Sequence, residues 1–171
     1  MDFSKLAAER YSVRKFQDRP VSKEDMDIIL KAANAAPTGC NYQPQRIYVA
    51  QSEEALAKLN SLSKCIFGAK TVLVFACCTD EEWKNPLEPG VSSGQQDISI
   101  VATHAMLQAW EIGVGSCWVN YFANSAVEKA LGLPANEKVI LLMPMGYPAE
   151  DAAPLPMHEK TKPISETVRF I

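Results

Sequence analysis

Thr71-Val72-Leu73-Val74-Phe75-Ala76-Cys77-Cys78 is an almost uninterrupted apolar run, rich in residues that favour β-strands. Because apolar side chains occupy both alternating faces, the run predicts a strand buried on both sides at the centre of a sheet. Strand-like segments also occur at 46–51, 116–119 and 138–146. Helical patterns alternate with these strands, and this alternation by itself favours a doubly wound parallel sheet.

Two helices are predicted from apolar spacing. Ser22 and Asp25 resemble a capping box, and a helical stripe of apolar residues follows them from Met26 to Ala33. Residues 95–112 also have a helical pattern, but they are apolar nearly all round. We therefore expect this second helix to be covered on most sides, either by the core or by a partner subunit.

The composition is that of an ordinary globular domain. The chain has 171 residues, of which 47% are hydrophobic and 22% charged, so we expect one domain with a sizeable core. The net charge of −3 argues against a nucleic-acid surface. The sequence shows neither an apolar run of membrane-spanning length nor the pattern of a secretory leader, so a cytoplasmic protein is expected.

Cysteine and histidine offer little for metal or triad chemistry. The five cysteines include no CxxC pair, which argues against a zinc site and against a disulfide framework. Only His104 and His158 supply imidazoles, so we expect no histidine-based metal centre. A Ser-His-Asp site is disfavoured for the same reason.

Basic residues concentrate near both ends of the chain. Arg10, Ser12 and Arg14 alternate, so in an extended segment two guanidinium groups and a hydroxyl point to one side. Lys160 and Lys162 repeat this spacing in a proline-rich tail. The clusters suit a small anion such as a phosphate, although a solvated charged surface explains either cluster taken alone.

Two further segments carry polar groups between regular elements. Residues 36–44 (APTGCNYQP) form a turn-rich loop, which is either a ligand loop or a plain connector. Residues 113–122 contain Gly113 and Gly115 but lack the GxGxxG spacing of a dinucleotide site. A Rossmann interpretation therefore fails.

Taken together and in this order, the segments resemble the FMN-dependent nitroreductase family in its short, single-domain form. Residues 9–16 (ERYSVRKF) match the family's R-x-S-x-R-x-F motif, and residues 36–44 match its A-P-S/T-x-x-N-x-Q-P motif. Residues 113–118 (GVGSCW) are similar to its G-x-G-S/T-C-W segment, and residues 145–148 (MGYP) to its G-Y-P turn. The resemblance covers essentially the whole chain.

The resemblance implies a fold that differs from the doubly wound sheet. It implies an α+β, three-layer nitroreductase-like fold, with a mixed, mostly antiparallel sheet between helices. Residues 1–171 would form a single domain with an extended C-terminal tail at about 148–171. The fold would be a homodimer, with the long apolar helix at the interface and the tail reaching onto the partner.

The resemblance also implies an FMN site shared between two subunits. Arg10, with Lys160 and Lys162, would hold the phosphate, while Ser12 and Arg14 would face the ribityl chain and the N1–C2=O side of the ring. Arg14 would then be the cation that favours the reduced flavin. This tail has lysine at both basic positions, whereas the family commonly has an arginine at one of them.

Further contacts are implied from the partner subunit and from the segment facing the flavin N5 atom. The residues implied from the partner are Pro37, Thr38, Gly39 and Asn41. The backbone of Asn120 and Tyr121 would face N5, although family members often have glycine there. No side chain is implied as nucleophile or obligatory acid, because the flavin carries the redox chemistry.

The implied activity is a ping-pong cycle in which NAD(P)H reduces the flavin and a small acceptor, such as a nitroaromatic or a quinone, reoxidises it. One alternative is a specialised reductase of the same fold, either of the dehalogenase type or flavin-fragmenting. Another is a non-catalytic FMN-binding or storage protein. The irregular segment at 80–94 is short, which predicts only a small cover over the substrate pocket.

Overall fold

The computed structural model describes residues 2–171. These residues contain one four-stranded sheet. The strands are β1 (Gln45–Ala50), β2 (Thr71–Cys78), β3 (Gly115–Ser116) and β4 (Glu137–Gly146). They lie in the order β1-β2-β4-β3, and each neighbouring pair is antiparallel. The mostly antiparallel sheet is confirmed and the doubly wound parallel sheet is wrong, because alternation of elements does not report strand direction.

Helices cover both faces of this sheet. The helices among the described residues are α1 (Phe3–Glu9), α2 (Lys23–Asn34), α3 (Glu53–Leu62), α4 (Gly94–Glu111), α5 (Asn124–Leu131) and α6 (Ile164–Thr167). One core cluster joins α2 and α4 to the sheet, and a second joins α3 and α5 to its other face. The three-layer α+β arrangement is therefore confirmed.

The central strand β2 supplies both halves of the core. All of its residues are buried, as its apolar pattern predicts. Leu73 and Phe75 belong to the cluster on the α2–α4 side, whereas Val72 and Val74 belong to the cluster on the α3–α5 side. Because successive side chains of a strand point to opposite faces, one apolar run holds both helix layers in place.

The two helices predicted from apolar spacing are both present. Ser22 caps α2, since its Oγ accepts a hydrogen bond from the Asp25 N–H at 3.1 Å. In α4, Ile98 and Ala105 are among the residues buried against the sheet, while Ile100 on the other side is exposed. None of the helices in residues 2–171 has the length and apolar character needed to cross a membrane.

The chain between α1 and α2 runs along the β3–β4 end of the sheet. The Val13 N–H donates to the Ser116 carbonyl at 2.9 Å, and the Gln17 N–H donates to the Tyr147 carbonyl at 2.8 Å. These bonds hold the basic segment extended. The alternation predicted for residues 10, 12 and 14 is therefore imposed by the sheet.

Tyr147 of the G-Y-P turn fastens this segment to α2. Its hydroxyl donates to the Asp25 carboxylate at 2.5 Å and accepts from the Ser22 N–H at 3.3 Å. The Arg19 guanidinium lies 3.5 Å from the centre of the Tyr147 ring. The turn thus has a structural role in positioning the N-terminal segment.

The C-terminal tail, residues 148–171, is largely irregular and exposed, with α6 as a single short helix. Several of its apolar side chains face solvent. Ile164 is 75% exposed and Phe170 is 98% exposed. Such side chains favour contact with another surface.

Candidate functional site

Arg10, Ser12 and Arg14 line one cavity of about 250 Å³. Helix α1 ends at Glu9, and at the C-cap residue Arg10 the backbone turns extended (φ −60°, ψ 127°) while the N–H still donates to the Leu6 carbonyl. From there, Tyr11, Ser12 and Arg14 also line the cavity, while Val13 faces the core and is fully buried. The common side of Ser12 and Arg14 agrees with the alternating spacing, while the identity of the ligand stays a prediction.

Val13 can pack here only because residue 115 is glycine. A Cβ at Gly115 would lie 2.4 Å from the Val13 Cγ2 atom, a distance shorter than the non-bonded contacts that Cβ atoms make in proteins. Gly115 therefore belongs to the structural support of the site. This packing gives a physical reason for the second glycine of the G-x-G-S/T-C-W segment.

The Arg14 guanidinium is held by neutral groups. Its Nη1 donates to the Ser12 carbonyl at 2.9 Å, and its carbon lies 5.9 Å from the centre of the Phe67 ring. Among residues 2–171, neither Arg10 nor Arg14 forms an ion pair with a carboxylate. Two positive charges at this cavity are thus available to an anion.

Cys117 lies close to these groups without neutralising them. Burial raises the pKa of the Cys117 thiol, while the Arg14 charge and a hydrogen bond with Ser12 oppose that shift without reversing it. The thiol is therefore neutral near pH 7. Arg14 keeps its net positive charge toward the cavity.

The loop at 36–44 has an unusual backbone. Cys40, Asn41 and Gln43 all have positive φ angles, of 49°, 57° and 53°. Non-glycine residues in this region are strained, and such strain is often found at ligand sites. Local hydrogen bonds support the shape, since Thr38 Oγ1 accepts from the Gln43 N–H at 3.0 Å.

Asp97 anchors this loop to the first turn of α4. Its Oδ1 accepts from the Gly39 N–H at 2.9 Å, and its Oδ2 accepts from the Ser93 hydroxyl at 2.7 Å. Asp97 is 3% exposed. The approach requires glycine at 39, because a Cβ there would lie 2.7 Å from Ser93 Oγ and 3.0 Å from the Cβ of Trp83.

Asp97 is not among the site residues predicted from the sequence. The available signal was an acidic residue in the first turn of a helix that is otherwise apolar nearly all round. A buried carboxylate needs hydrogen-bond donors, and those donors lie in a loop far away in the sequence. Local pattern therefore marks Asp97 as unusual but does not identify what it binds.

Asn120 and Tyr121 follow β3 at the surface. Asn120 Oδ1 accepts from Trp118 Nε1 at 2.9 Å, and the Tyr121 carbonyl accepts from Ser63 Oγ at 2.8 Å. The Tyr121 side chain is 73% exposed. Its backbone N–H donates to no group among residues 2–171, so this donor is free for a ligand.

The basic pair of the tail lies outside the arginine cavity. Lys160 and Lys162 are exposed, and the tail residues that line the cavity are Leu155, Met157 and His158. The structure therefore brings together Arg10, Ser12 and Arg14. The two lysines are not part of that cluster.

The chain matches the sequence profile of the nitroreductase family over residues 7–70 and 61–147. It belongs to that family. A protein of Archaeoglobus fulgidus, provisionally named an NADH dehydrogenase/NAD(P)H nitroreductase, is 30% identical over 154 residues, which cover 86% of each chain. The family predicted from the motifs is confirmed.

Solved structures agree with this assignment. The crystal structure of a nitroreductase family protein from Clostridium difficile 630 has a TM-score of 0.92 and 38% identity, and the match covers 99% of this chain and 98% of that one. An FMN-dependent nitroreductase from Clostridium difficile R20291 has a TM-score of 0.74 and 26% identity, with 94% and 98% covered. The nitroreductase fold is therefore confirmed as well.

In this chain, the arginine cavity and the loop at 36–44 lie at opposite ends of α4. The Tyr11 ring contacts Trp110 in the last turn of α4, with ring centroids 5.1 Å apart, whereas Gly39 is bound to Asp97 in the first turn. Asp97 and Trp110 are thirteen residues apart in one helix. At 1.5 Å per residue this corresponds to about 20 Å.

Replacing Asp97 with alanine is expected to lower the free energy of unfolding by about 2 kcal/mol, because the Gly39 N–H and the Ser93 hydroxyl would lose their buried acceptor. We also expect faster cleavage at residues 40–43 in limited proteolysis, read by mass spectrometry. Urea unfolding measures the stability change.

Asp27→Ala is the matched control, because Asp27 lies on the exposed face of α2 and pairs only with exposed Lys23. Its unfolding free energy is expected to change by less than about 0.5 kcal/mol. A D97A protein with wild-type stability and an equally protected loop would contradict the anchoring role.

Proposed function

We propose that this nitroreductase is an FMN-dependent oxidoreductase that uses NAD(P)H to reduce small acceptors such as nitroaromatics or quinones. The observation that carries the proposal is the pair of guanidinium groups, those of Arg10 and Arg14, that line one cavity without a carboxylate partner among residues 2–171. Relatives named NADPH-flavin oxidoreductase and FMN reductase support the redox class.

The residues at the cavity fit the phosphate and ribityl end of FMN. A phosphate monoester requires cationic donors, and Arg10 supplies one, while Ser12 and Arg14 beside it are suited to the ribityl chain and the N1–C2=O side of the ring. Among residues 2–171, no carboxylate lines the cavity, so no acidic side chain there repels an anion. Lys160 and Lys162, which are exposed, would add positive charge around the phosphate from outside the cavity.

Arg14 would also adjust the chemistry of the flavin. When bound, FMN supplies the hydride-accepting ring, and the protein supplies binding, orientation and charge. A fixed positive charge beside the N1–C2=O edge stabilises the negative charge that reduction places there. The backbone N–H groups of Asn120 and Tyr121 would face N5, where the free Tyr121 donor is suited to a hydrogen bond.

A homodimer would complete the site. Within one chain the loop at 36–44 and the arginine cavity lie at opposite ends of α4, about 20 Å apart along the helix, and this separation favours a site formed between two subunits. The outer side of α4 borders a mostly apolar groove of about 590 Å³, lined by Phe3, Leu6, Ala32, Thr103, His104, Leu107, Gln108 and Glu111.

Twofold packing through this groove would explain why the two parts of the site lie on different subunits. In such a dimer the partner's α4 runs in the opposite direction, which brings the partner's loop toward the arginines of this chain. The residues contributed in this way would be Pro37, Thr38, Gly39 and Asn41. The exposed apolar side chains of the tail, such as Phe170, would also find a surface to cover them.

Rapid mixing of FMN-loaded protein with NADH or NADPH tests the proposed activity. We expect at least one donor to bleach the oxidised-flavin absorbance, and a nitroaromatic or quinone to restore it. Protein that stays colourless after incubation with FMN would contradict the cofactor. Holoprotein that neither donor bleaches would instead favour a non-catalytic FMN-binding protein.

Replacing Arg14 with alanine is expected to weaken FMN binding about tenfold, because one charge-assisted contact is lost. The midpoint potential of the bound flavin should fall by ~30 mV, equivalent to ~1.4 kcal/mol for a two-electron couple. Fluorescence titration and spectroelectrochemistry measure the two effects.

Arg19→Ala is the control, since Arg19 comes from the same basic segment but its guanidinium lies over the Tyr147 ring, away from the cavity. Unchanged affinity and potential in R14A would exclude the assigned role.

Mixed dimers test whether the site is shared. Arg14→Ala and Asn41→Gly each impair a different half of the proposed site, and glycine tolerates the positive φ of 57° at position 41. A purified heterodimer of the two variants has one site carrying both defects and one intact site, so about half of the wild-type activity is expected. A heterodimer as inactive as the parent variants would show that each site is formed within one subunit.

A further inference from the structure

Three residues of the C-terminal tail complete the cavity that the arginines line. They are Leu155, Met157 and His158. His158 is half-buried, whereas Leu155 and Met157 are exposed, and of the three it alone has an ionisable side chain. A titratable group therefore lies at the cavity where two fixed positive charges meet.

The His158 ring is packed into the wall of the cavity. Its centroid lies 6.2 Å from that of Tyr11, at an interplanar angle of 66°. Tyr11 in turn packs edge-on against Trp110 of α4. The His158 N–H donates to the Leu155 carbonyl at 2.8 Å, which closes a turn of the tail and keeps the imidazole at this position.

The charges around His158 favour an anion. The ionisable groups that share the cavity with it are Arg10, Arg14 and Tyr11. Burial raises the pKa of Tyr11, so its phenol is neutral and does not repel a phosphate. Asp151 lines the adjoining cavity and is paired with Lys15 at 2.5 Å, and the neighbouring Glu159 is exposed. In the part of the chain that the structure describes, no carboxylate lines the cavity itself.

We propose that His158 is a phosphate ligand of the flavin site, and that its protonation strengthens the preference for FMN over riboflavin as the pH falls. The inference rests on the proposed function and adds a pH-dependent control of cofactor retention to it. Histidine changes charge between pH 5 and 8, whereas arginine and lysine keep theirs over that range. A phosphate held partly by imidazolium is therefore released more easily as the pH rises.

His158→Gln tests the charge, because glutamine keeps a neutral hydrogen-bond donor of similar size. FMN and riboflavin are titrated into apoprotein at pH 6 and pH 8, with quenching of flavin fluorescence as the readout. We expect H158Q to bind FMN about tenfold more weakly than the wild type at pH 6, and within about twofold of it at pH 8. Riboflavin affinity should differ by less than about twofold at both pH values, because riboflavin has no phosphate.

Two further variants serve as controls. His158→Arg restores a permanent charge, so we expect FMN affinity near that of the wild type at pH 6 and undiminished at pH 8. The double variant K160Q/K162Q should lose FMN affinity at both pH values, because lysine stays charged over this range. Free FMN carries the same phosphate charge in every titration at one pH, so each variant is compared with the wild type at that pH.

Several results would overturn the inference. They are an H158Q protein that binds FMN like the wild type at both pH values, an equal loss of riboflavin binding, and a failure of H158R to restore affinity at pH 6. In each of these cases the wild type still binds FMN and the proposed function stands. A wild type that binds neither flavin would contradict the proposed function as well.

Discussion

Residues 12–17 lie along one end of the sheet, and the direction of the charged groups at the site depends on how this segment pairs there. Val13 is fully buried, its N–H donates to the Ser116 carbonyl, and Gly115 leaves room for its side chain. Because neighbouring residues of an extended segment face opposite sides, burial of Val13 turns Ser12 and Arg14 toward the cavity together. Packing of one apolar side chain thus orients two polar ones.

Helix α4 sets the distance between the arginine cavity and the loop at 36–44. Its last turn contacts Tyr11 beside the arginine cavity, and its first turn holds the loop at 36–44 through Asp97. A helix of this length is a rigid spacer, and it keeps the arginine cavity and the loop at 36–44 about 20 Å apart along its axis within one subunit. This separation is the geometric basis of the proposed twofold dimer.

The strained loop at 36–44 fits a ligand-binding role. Positive φ angles at Cys40, Asn41 and Gln43 cost of the order of 1–3 kcal/mol each, with the cost lower for asparagine. The buried bonds from Asp97 to Gly39 and Ser93 offset part of that cost. A loop whose shape is maintained by the core loses less conformational entropy when it binds a ligand.

The sequence by itself determined β2, the start of α2 at Ser22, the alternation of Arg10, Ser12 and Arg14, and the family to which the chain belongs. Each of these is encoded in neighbouring residues or in a short motif. Only the tertiary structure decided the strand directions, the anchoring of the loop by Asp97, and the presence of His158 at the cavity in place of the tail lysines. These features depend on contacts between residues far apart in the chain, and side-chain periodicity carries no information about which distant partners will meet.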